Sequence, residues 1–442
     1  MLLEFRAKNY KSFKEELVFS LVASNQKGLD YSVMTEQAGK KSYRGLCSSV
    51  IYGPNASGKT NIIGAMDTFK SIVLRGNIRN NTDDIEPNAA AGMLELIPNN
   101  KSGTFLPVGF SIAFIEKKIH VEYAFSADIG EFLIPDHKRK ILSETLKIDD
   151  NLIFARNEGL EFGSLGAIQS FFVNAFEQNA DGAIALAKNN LNDEELFLMN
   201  GFKTMFSSKL VDLVTHWFYK KFMVVYGANS MRLIRKFSDP NKKSIYIEKT
   251  LNEAANYFGI NSNALGYMVD SENDEAKLYS LFENGNNGTK GKIIPAELFE
   301  SYGTIRFVNM FPLVVNSLLN GGILAVDEFD ASIHPMALMS IINVFHNDDI
   351  NTNHAQLVFN THNPVFLNAN LFRRDEIKFV ERDDETHFST LYALSDFGAS
   401  GKNGVRRNED YMKNYFVDRY GAIKDIDFTP IFETMVEGGK GV

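Results

Sequence analysis

Eight residues, Gly53-Pro54-Asn55-Ala56-Ser57-Gly58-Lys59-Thr60, constrain this chain more than any other feature. They fit the pattern G-x-x-x-x-G-K-[ST]. A short apolar run, Ser48 to Tyr52, precedes them, and Ile62, Ala65, Met66, Phe69 and Val73 recur behind them at helical spacing. Residues 48 to 74 therefore read as strand, glycine loop, helix. In that setting the glycines let backbone N–H groups converge on an anion, and the helix start adds the positive end of its dipole. Asn55 and Gly58 belong to the cradle, Lys59 is placed to reach β- and γ-phosphates, and the Thr60 hydroxyl is offered to Mg2+. The ligand this predicts is ATP with Mg2+.

Three later motifs carry chemistry of the same kind. Asp327-Glu328 close the apolar run Ile323 to Val326, which reads as a fully buried strand. Adjacent carboxylates there are costly to bury unless a cation or substrate pairs with them, and open parallel sheets bind ligands at the carboxyl ends of their strands. Asp327 is placed to hold Mg2+, and Glu328 to take a proton from an attacking water. His362 follows the apolar strand Gln356 to Phe359. A histidine at a strand end is often a satisfied polar residue, but beside the other motifs it is placed to bond the γ-phosphate and orient the water. Ser301-Tyr302-Gly303-Thr304 opens a helix that runs to Leu319. Ser301 and Gly303 there offer either an ordinary N-cap or an anion-facing helix start, and the residues alone leave both open.

The rest of the pattern is a mixture of strands and helices. Leu3 to Ala7 and Leu17 to Val22 alternate at hairpin distance. Residues 75–103 read as a polar loop or insertion. Gly109 to Phe114, Ile119 to Phe125, Ile141 to Ile148 and Leu152 to Ala155 predict an antiparallel meander. Helical spacing then dominates to about residue 258, with Ile168, Phe171, Phe172, Ala175 and Phe176 on one face and further helices over 192–220 and 244–257. Ala276 to Phe282 and Lys292 to Pro295 flank a turn-rich stretch and predict a hairpin. Strand–helix alternation from residue 304 onward argues a parallel or mixed sheet. No heptads are sustained, so no long coiled coil is expected.

Composition removes several classes. The 442 residues carry a formal net charge of −9, where a surface that holds nucleic acid is ordinarily basic. Nucleic-acid contact is thus not indicated by charge, and the pairs Arg373-Arg374 and Arg406-Arg407 read as solvated faces or salt bridges. A single cysteine, Cys47, fits a reducing, cytoplasmic setting and is expected to be a buried, inert thiol. No apolar stretch is long enough to span a membrane, the N-terminal residues do not follow the signal-peptide order, and no Cys/His cluster has metal-ligand spacing. The 36 phenylalanines are read as core filling.

Taken in order, Asn9-Tyr10-Lys11-Ser12-Phe13, Gly53 to Thr60, Ser301-Tyr302-Gly303, Asp327-Glu328 and His362 resemble the ABC-type ATPase head shared by SMC, RecF and OLD-type proteins. That resemblance implies that Ser301 and Gly303 form the signature motif, closing over ATP held by another copy. It also implies that Asp330 lies in the D-loop at the dimer seam. Residues 327–335, 2–13, 50–74 and 406–423 are similar to a bacterial subgroup of anti-phage, abortive-infection ATPases, the RloA (AbiLi) group. The expectations are then an α/β ABC-type head with a mixed central sheet, an antiparallel β lobe and an inserted helical subdomain. The boundaries are 1–160 for the N-terminal part of the head, 161–270 for the helical insertion and 271–442 for the C-terminal part. The implied function is an ATPase that switches by ATP-dependent head-to-tail dimerisation as a homodimer or higher homo-oligomer and controls a separate nuclease-like effector of the RloB (AbiLii) type. A DNA-clamping repair ATPase of the RecF/SMC type is the alternative. OLD-type proteins continue into a Toprim nuclease domain, for which the roughly 60 residues after the last core strand are too few. The glutamine of the γ-phosphate-sensing loop is not assigned.

Overall fold

In a computed structural model, residues 1–79, 94–101, 106–132, 137–172, 180–226, 249–269, 276–282, 292–399, 404–424 and 426–439 are described. The centre is a six-stranded sheet. In chain order its strands are Ser48–Tyr52, Phe222–Val225, Ile323–Val326, Gln356–Asn360, Ile377–Arg382 and Ser389–Ala393, here β1 to β6. Their spatial order is β2-β3-β4-β1-β5-β6, parallel throughout except for the antiparallel edge strand β6. The three inner strands β3, β4 and β1 are buried at every residue, because helices cover both faces. That is why their sequences are continuous apolar runs rather than alternating ones.

Side-chain alternation assigns the two faces. Ile51, Ala325 and Val358 point toward the helix Lys59–Arg75 (α1), which contributes Ile62, Ile63, Met66, Phe69 and Ile72 to the same core. Val50, Leu324, Val326, Leu357 and Phe359 point the other way, against the helices Tyr302–Asn320 (α2) and Pro335–Phe345 (α3). α1 is in turn roofed by a seven-stranded antiparallel sheet built from Leu2–Lys8, Leu17–Ser20 and the strands between Val108 and Phe162. The first strand pairs with both Leu17–Ser20 and Val108–Glu116, so the N-terminal hairpin and the expected meander are one sheet. Phe69 sits between the layers, its ring centroid 5.6 to 6.2 Å from Phe5, Phe110, Phe125, Tyr123 and Phe218. Many of the phenylalanines serve as core in this way, whereas Phe299, Phe416, Phe428 and Phe432 are exposed.

The stretch 161–270, expected as a single helical insertion, divides differently. Its first part packs on α1 and the antiparallel lobe through Phe197, Phe202, Leu210, Trp217 and Phe218. Phe222–Val225 enters the central sheet as β2, paired residue for residue with β3. The helix Lys249–Phe258 packs on α2 instead, with Phe258 stacked on Phe307 at 4.4 Å. The four-residue strand is too short for periodicity to reveal. Of the helical face drawn from Ile168 to Phe176, Leu165–Phe171 forms a 3-10 segment and residues 173–179 lie outside the described ones. The expected hairpin is present as Ala276–Phe282 against Lys292–Pro295, extended by Ala264–Val269 into a three-stranded sheet. Among the described residues the longest helix is α2, with 19 residues.

Candidate functional site

Parallel strands bring their carboxyl ends to one edge, and in this register the chemistry-bearing residues follow directly. Val326 is level with Phe359, and Phe359 with Val50. Asp327-Glu328, Thr361-His362 and the glycine loop therefore leave neighbouring strands at the same height. The loop closes tightly. A side chain at Gly58, which has φ +111°, would meet Ser12 Oγ at 2.6 Å and Ser389 Oγ at 2.7 Å, and one at Gly53 would meet Val380 O at 2.3 Å. Asn61 Nδ2 donates to Ser12 Oγ at 2.8 Å, and Ser389 Oγ donates to Ser57 O at 2.5 Å. The Ser57 hydroxyl is buried without a partner among the described residues.

Lys59 is the first residue of α1, and its ammonium donates to Gly53 O at 2.7 Å and Pro54 O at 3.0 Å, folding back over the loop. Burial lowers its pKa to about 8, against the opposing pull of Asp327 and Glu328. Thr60 Oγ1 donates to Asp327 Oδ1 at 3.0 Å, so the hydroxyl of the glycine loop and the first of the paired carboxylates touch. Asn360, at the end of β4, donates to Asp327 Oδ1 at 2.5 Å and accepts from Glu328 N at 2.5 Å. One amide thus fixes both acidic residues. Glu328 has φ +49°, a left-handed conformation uncommon for a residue with a side chain. Arg306, buried on α2, donates from Nη2 to Glu328 O at 2.5 Å. Burial, and then the nearby Lys59 charge, depress the pKa of His362, favouring the neutral imidazole.

Asn55, Gly58, Lys59, Thr60, Glu328 and His362 line one cleft of about 600 Å³. Asp327 joins them through Thr60. Asp330 sits one step away, accepting from Thr361 Oγ1 at 2.7 Å. Ser301 and Gly303 are not in this cleft. They line a different, more apolar cavity of about 1010 Å³, together with Ser332, His334, Phe307 and Tyr257. Ser301 caps α2, accepting from Thr304 N at 3.0 Å. Gly303 lies so close to the loop after Glu328 that a Cβ there would meet Ser332 O at 2.1 Å.

Sequence reasoning passed over Asn360 and Arg306, whose importance lies in what they touch, and no local pattern marks them. Lys11, Ser12 and Arg382 also line the cleft. Lys11 and Ser12 belong to Asn9-Tyr10-Lys11-Ser12-Phe13, so that motif was the available signal. The arginine pair Arg373-Arg374 is not a solvated face. Arg373 is fully buried against Asp375 and donates to Gln26 O and Gly28 O, and Arg374 donates to Gly398 O and Val405 O. Cys47 is buried and its thiol is pushed up by burial.

The family model described as "AAA domain, putative AbiEii toxin, Type IV TA system" matches residues 48–197 and 222–368, about two thirds of the chain. The chain belongs to this family. The matched segments contain the glycine loop, Ser301, Asp327, Glu328 and His362. It is therefore an AAA-type ATPase by family, and the mixed central sheet with its antiparallel lobe is the α/β architecture expected from the sequence. Among solved structures, the SMC head domain from Thermotoga maritima is similar. It is 12% identical, with 89% of this chain and 98% of that chain covered and a TM-score of 0.36. No curated protein sequence matches. No helix among the described residues is long and apolar enough to cross a membrane.

Proposed function

We propose that this chain is an ATP-driven switch in which two copies associate head to tail around ATP and separate on hydrolysis. The observation that carries the reading is the division of one chain's motifs between two cavities. The cleft holds what is needed to grip and attack a triphosphate, while Ser301 and Gly303 face elsewhere and are free to cover the ATP of a second copy.

The groups fit Mg2+ and ATP. The glycine loop leaves room for backbone N–H groups to meet phosphate oxygens, Lys59 would exchange two carbonyls for the β- and γ-phosphates, and Thr60 with Asp327 would hold the magnesium. Bound magnesium neutralises charge on the triphosphate. Glu328, with its backbone fixed by Asn360 and Arg306, accepts a proton from the attacking water. The neutral His362 donates a hydrogen bond toward the γ-phosphate and orients that water. Asp330 lies at the seam between copies. Loss of the γ-phosphate would remove the anion shared by Lys59 and the α2 start of the other copy, so the link would dissolve.

In the cell such a switch serves anti-phage defence, holding or releasing a separately encoded nuclease-like effector. The family description, "AAA domain, putative AbiEii toxin, Type IV TA system", supports a role beside a partner protein of such a system.

Glu328→Gln keeps the size and shape of the side chain but replaces one acceptor oxygen by a donor amide and removes its basicity. It is expected to lower ATP turnover at least about a hundredfold and to trap an ATP-bound dimer. Light scattering on a sizing column, with and without ATP–Mg2+, reads this. A variant that stays monomeric with ATP bound counts against the switch.

A further inference from the structure

The antiparallel lobe carries a second cluster of chemistry-bearing residues that the ATP cleft does not use. On the strand Ile119–Asp128, Val121, Tyr123 and Phe125 face the core, so His120 and Glu122 share the opposite face. The turn between Lys140–Ile148 and Asn151–Arg156 is made by Asp149 and Asp150, with φ of +48° and +65°. It is pinned to His120 twice: His120 N donates to Asp149 Oδ1 at 2.9 Å, and Asp149 N donates to His120 O at 2.9 Å. Asp150 is thereby held beside the imidazole.

The imidazole is in an unusual position. The side chain is only 7% exposed, its ring lies 4.9 Å from that of Tyr43, and its Nδ1 is buried with no hydrogen-bond partner among the described residues. Nδ1 instead faces two carboxylate oxygens, Glu122 Oε1 and Asp150 Oδ1, each 3.9 Å away and too far to accept from it. The outer oxygens of the same carboxylates are engaged, Glu122 Oε2 by Lys147 at 3.2 Å and Asp150 Oδ2 by Lys41 at 2.5 Å. The arrangement leaves one nitrogen and two oxygens converging, all within 4.8 Å of one another.

We propose that His120 Nδ1, Glu122 Oε1 and Asp150 Oδ1 bind a divalent transition-metal ion of the zinc or manganese class. Imidazole with carboxylates is a donor set such ions favour. Ligands about a common zinc at roughly 2.1 Å stand about 3.4 Å apart, so each carboxylate closes on the imidazole nitrogen by about half an ångström, and the two carboxylates on each other by up to about 1.4 Å. Glu122 and Asp150 are 36% and 48% exposed and free to make that movement. Their exposure also leaves coordination positions open to solvent. The ion ties the turn to the neighbouring strand and satisfies the buried nitrogen. It is separate from the magnesium of the ATP cleft, and the inference does not depend on the proposed switch.

The test uses the full chain, stripped with a chelator and free of nucleotide, titrated with ZnCl2 against a chromophoric competitor. One equivalent of zinc is expected. His120→Ala and Asp150→Asn should each weaken it at least about tenfold, since loss even of groups that merely support ligands costs that much. Asparagine tolerates the left-handed turn, so Asp150→Asn guards against simple misfolding, checked by its metal-free melting temperature. Zinc should raise the melting temperature of the wild type and not that of Asp150→Asn. Absence of uptake by the wild type, or equal uptake by both variants, overturns the proposal.

Discussion

Lys59 is the residue whose surroundings say most about its work. Buried in the loop, its amine titrates near pH 8 before any phosphate arrives. Triphosphate oxygens would favour the charged form and raise that value. The sign follows: below about pH 8 the free protein already carries the cation, and affinity for ATP is flat. Above it the amine must take up a proton to bind, so affinity falls, by up to about tenfold per pH unit. Calorimetry of ATP–Mg2+ binding from pH 7 to 9.5 should show this slope, with proton uptake appearing above pH 8. A flat profile across the range would separate Lys59 from the phosphates. At this scale the sequence was most legible for residues that sit inside a local pattern, such as Lys59 and the pair Asp327-Glu328. Asn360, which bonds both acidic residues, was invisible because its partners lie 32 and 33 positions away.

Among the elements, α2 joins most of the chemistry. Its first turn carries Ser301 and Gly303. One turn later Arg306 holds the Glu328 carbonyl, and its apolar side packs on the central sheet. Glu300 just before it accepts from Asn261 N, Ser262 Oγ and Ser280 Oγ, fastening the three-stranded sheet to the helix start. Position 303 has no room for a methyl group, the obstacle being the Ser332 carbonyl. Gly303→Ala should therefore displace the helix start and cost about 1–3 kcal/mol. A lowered melting temperature with retained ATP binding is expected, and an unchanged melting temperature would contradict the close approach. The helix itself was readable from the sequence as far as Leu319. Strand β2 was not, because four residues between two helical stretches carry too little pattern, and only pairing with β3 defines it. The joining of the N-terminal hairpin to the meander likewise depends on long-range pairing, which periodicity cannot report.

For the whole molecule, the layers explain why the polar motif residues gather at one edge of the sheet. α1 and the antiparallel lobe close one face, and α2 and α3 the other. Only the ends of the strands are then left to present polar groups. The α/β class and the mixed sheet could be read from strand–helix alternation, whereas the extent of the antiparallel lobe and the splitting of residues 161–270 needed the fold. The central claim is that ATP is gripped by the loop around Lys59. Equilibrium binding of ATP–Mg2+ to the wild type and to Lys59→Ala tests it most directly. Micromolar binding to the wild type, weakened about a hundredfold or more by Lys59→Ala, is the expected result. Failure of the wild type to bind ATP, or equal binding by both proteins, would contradict it.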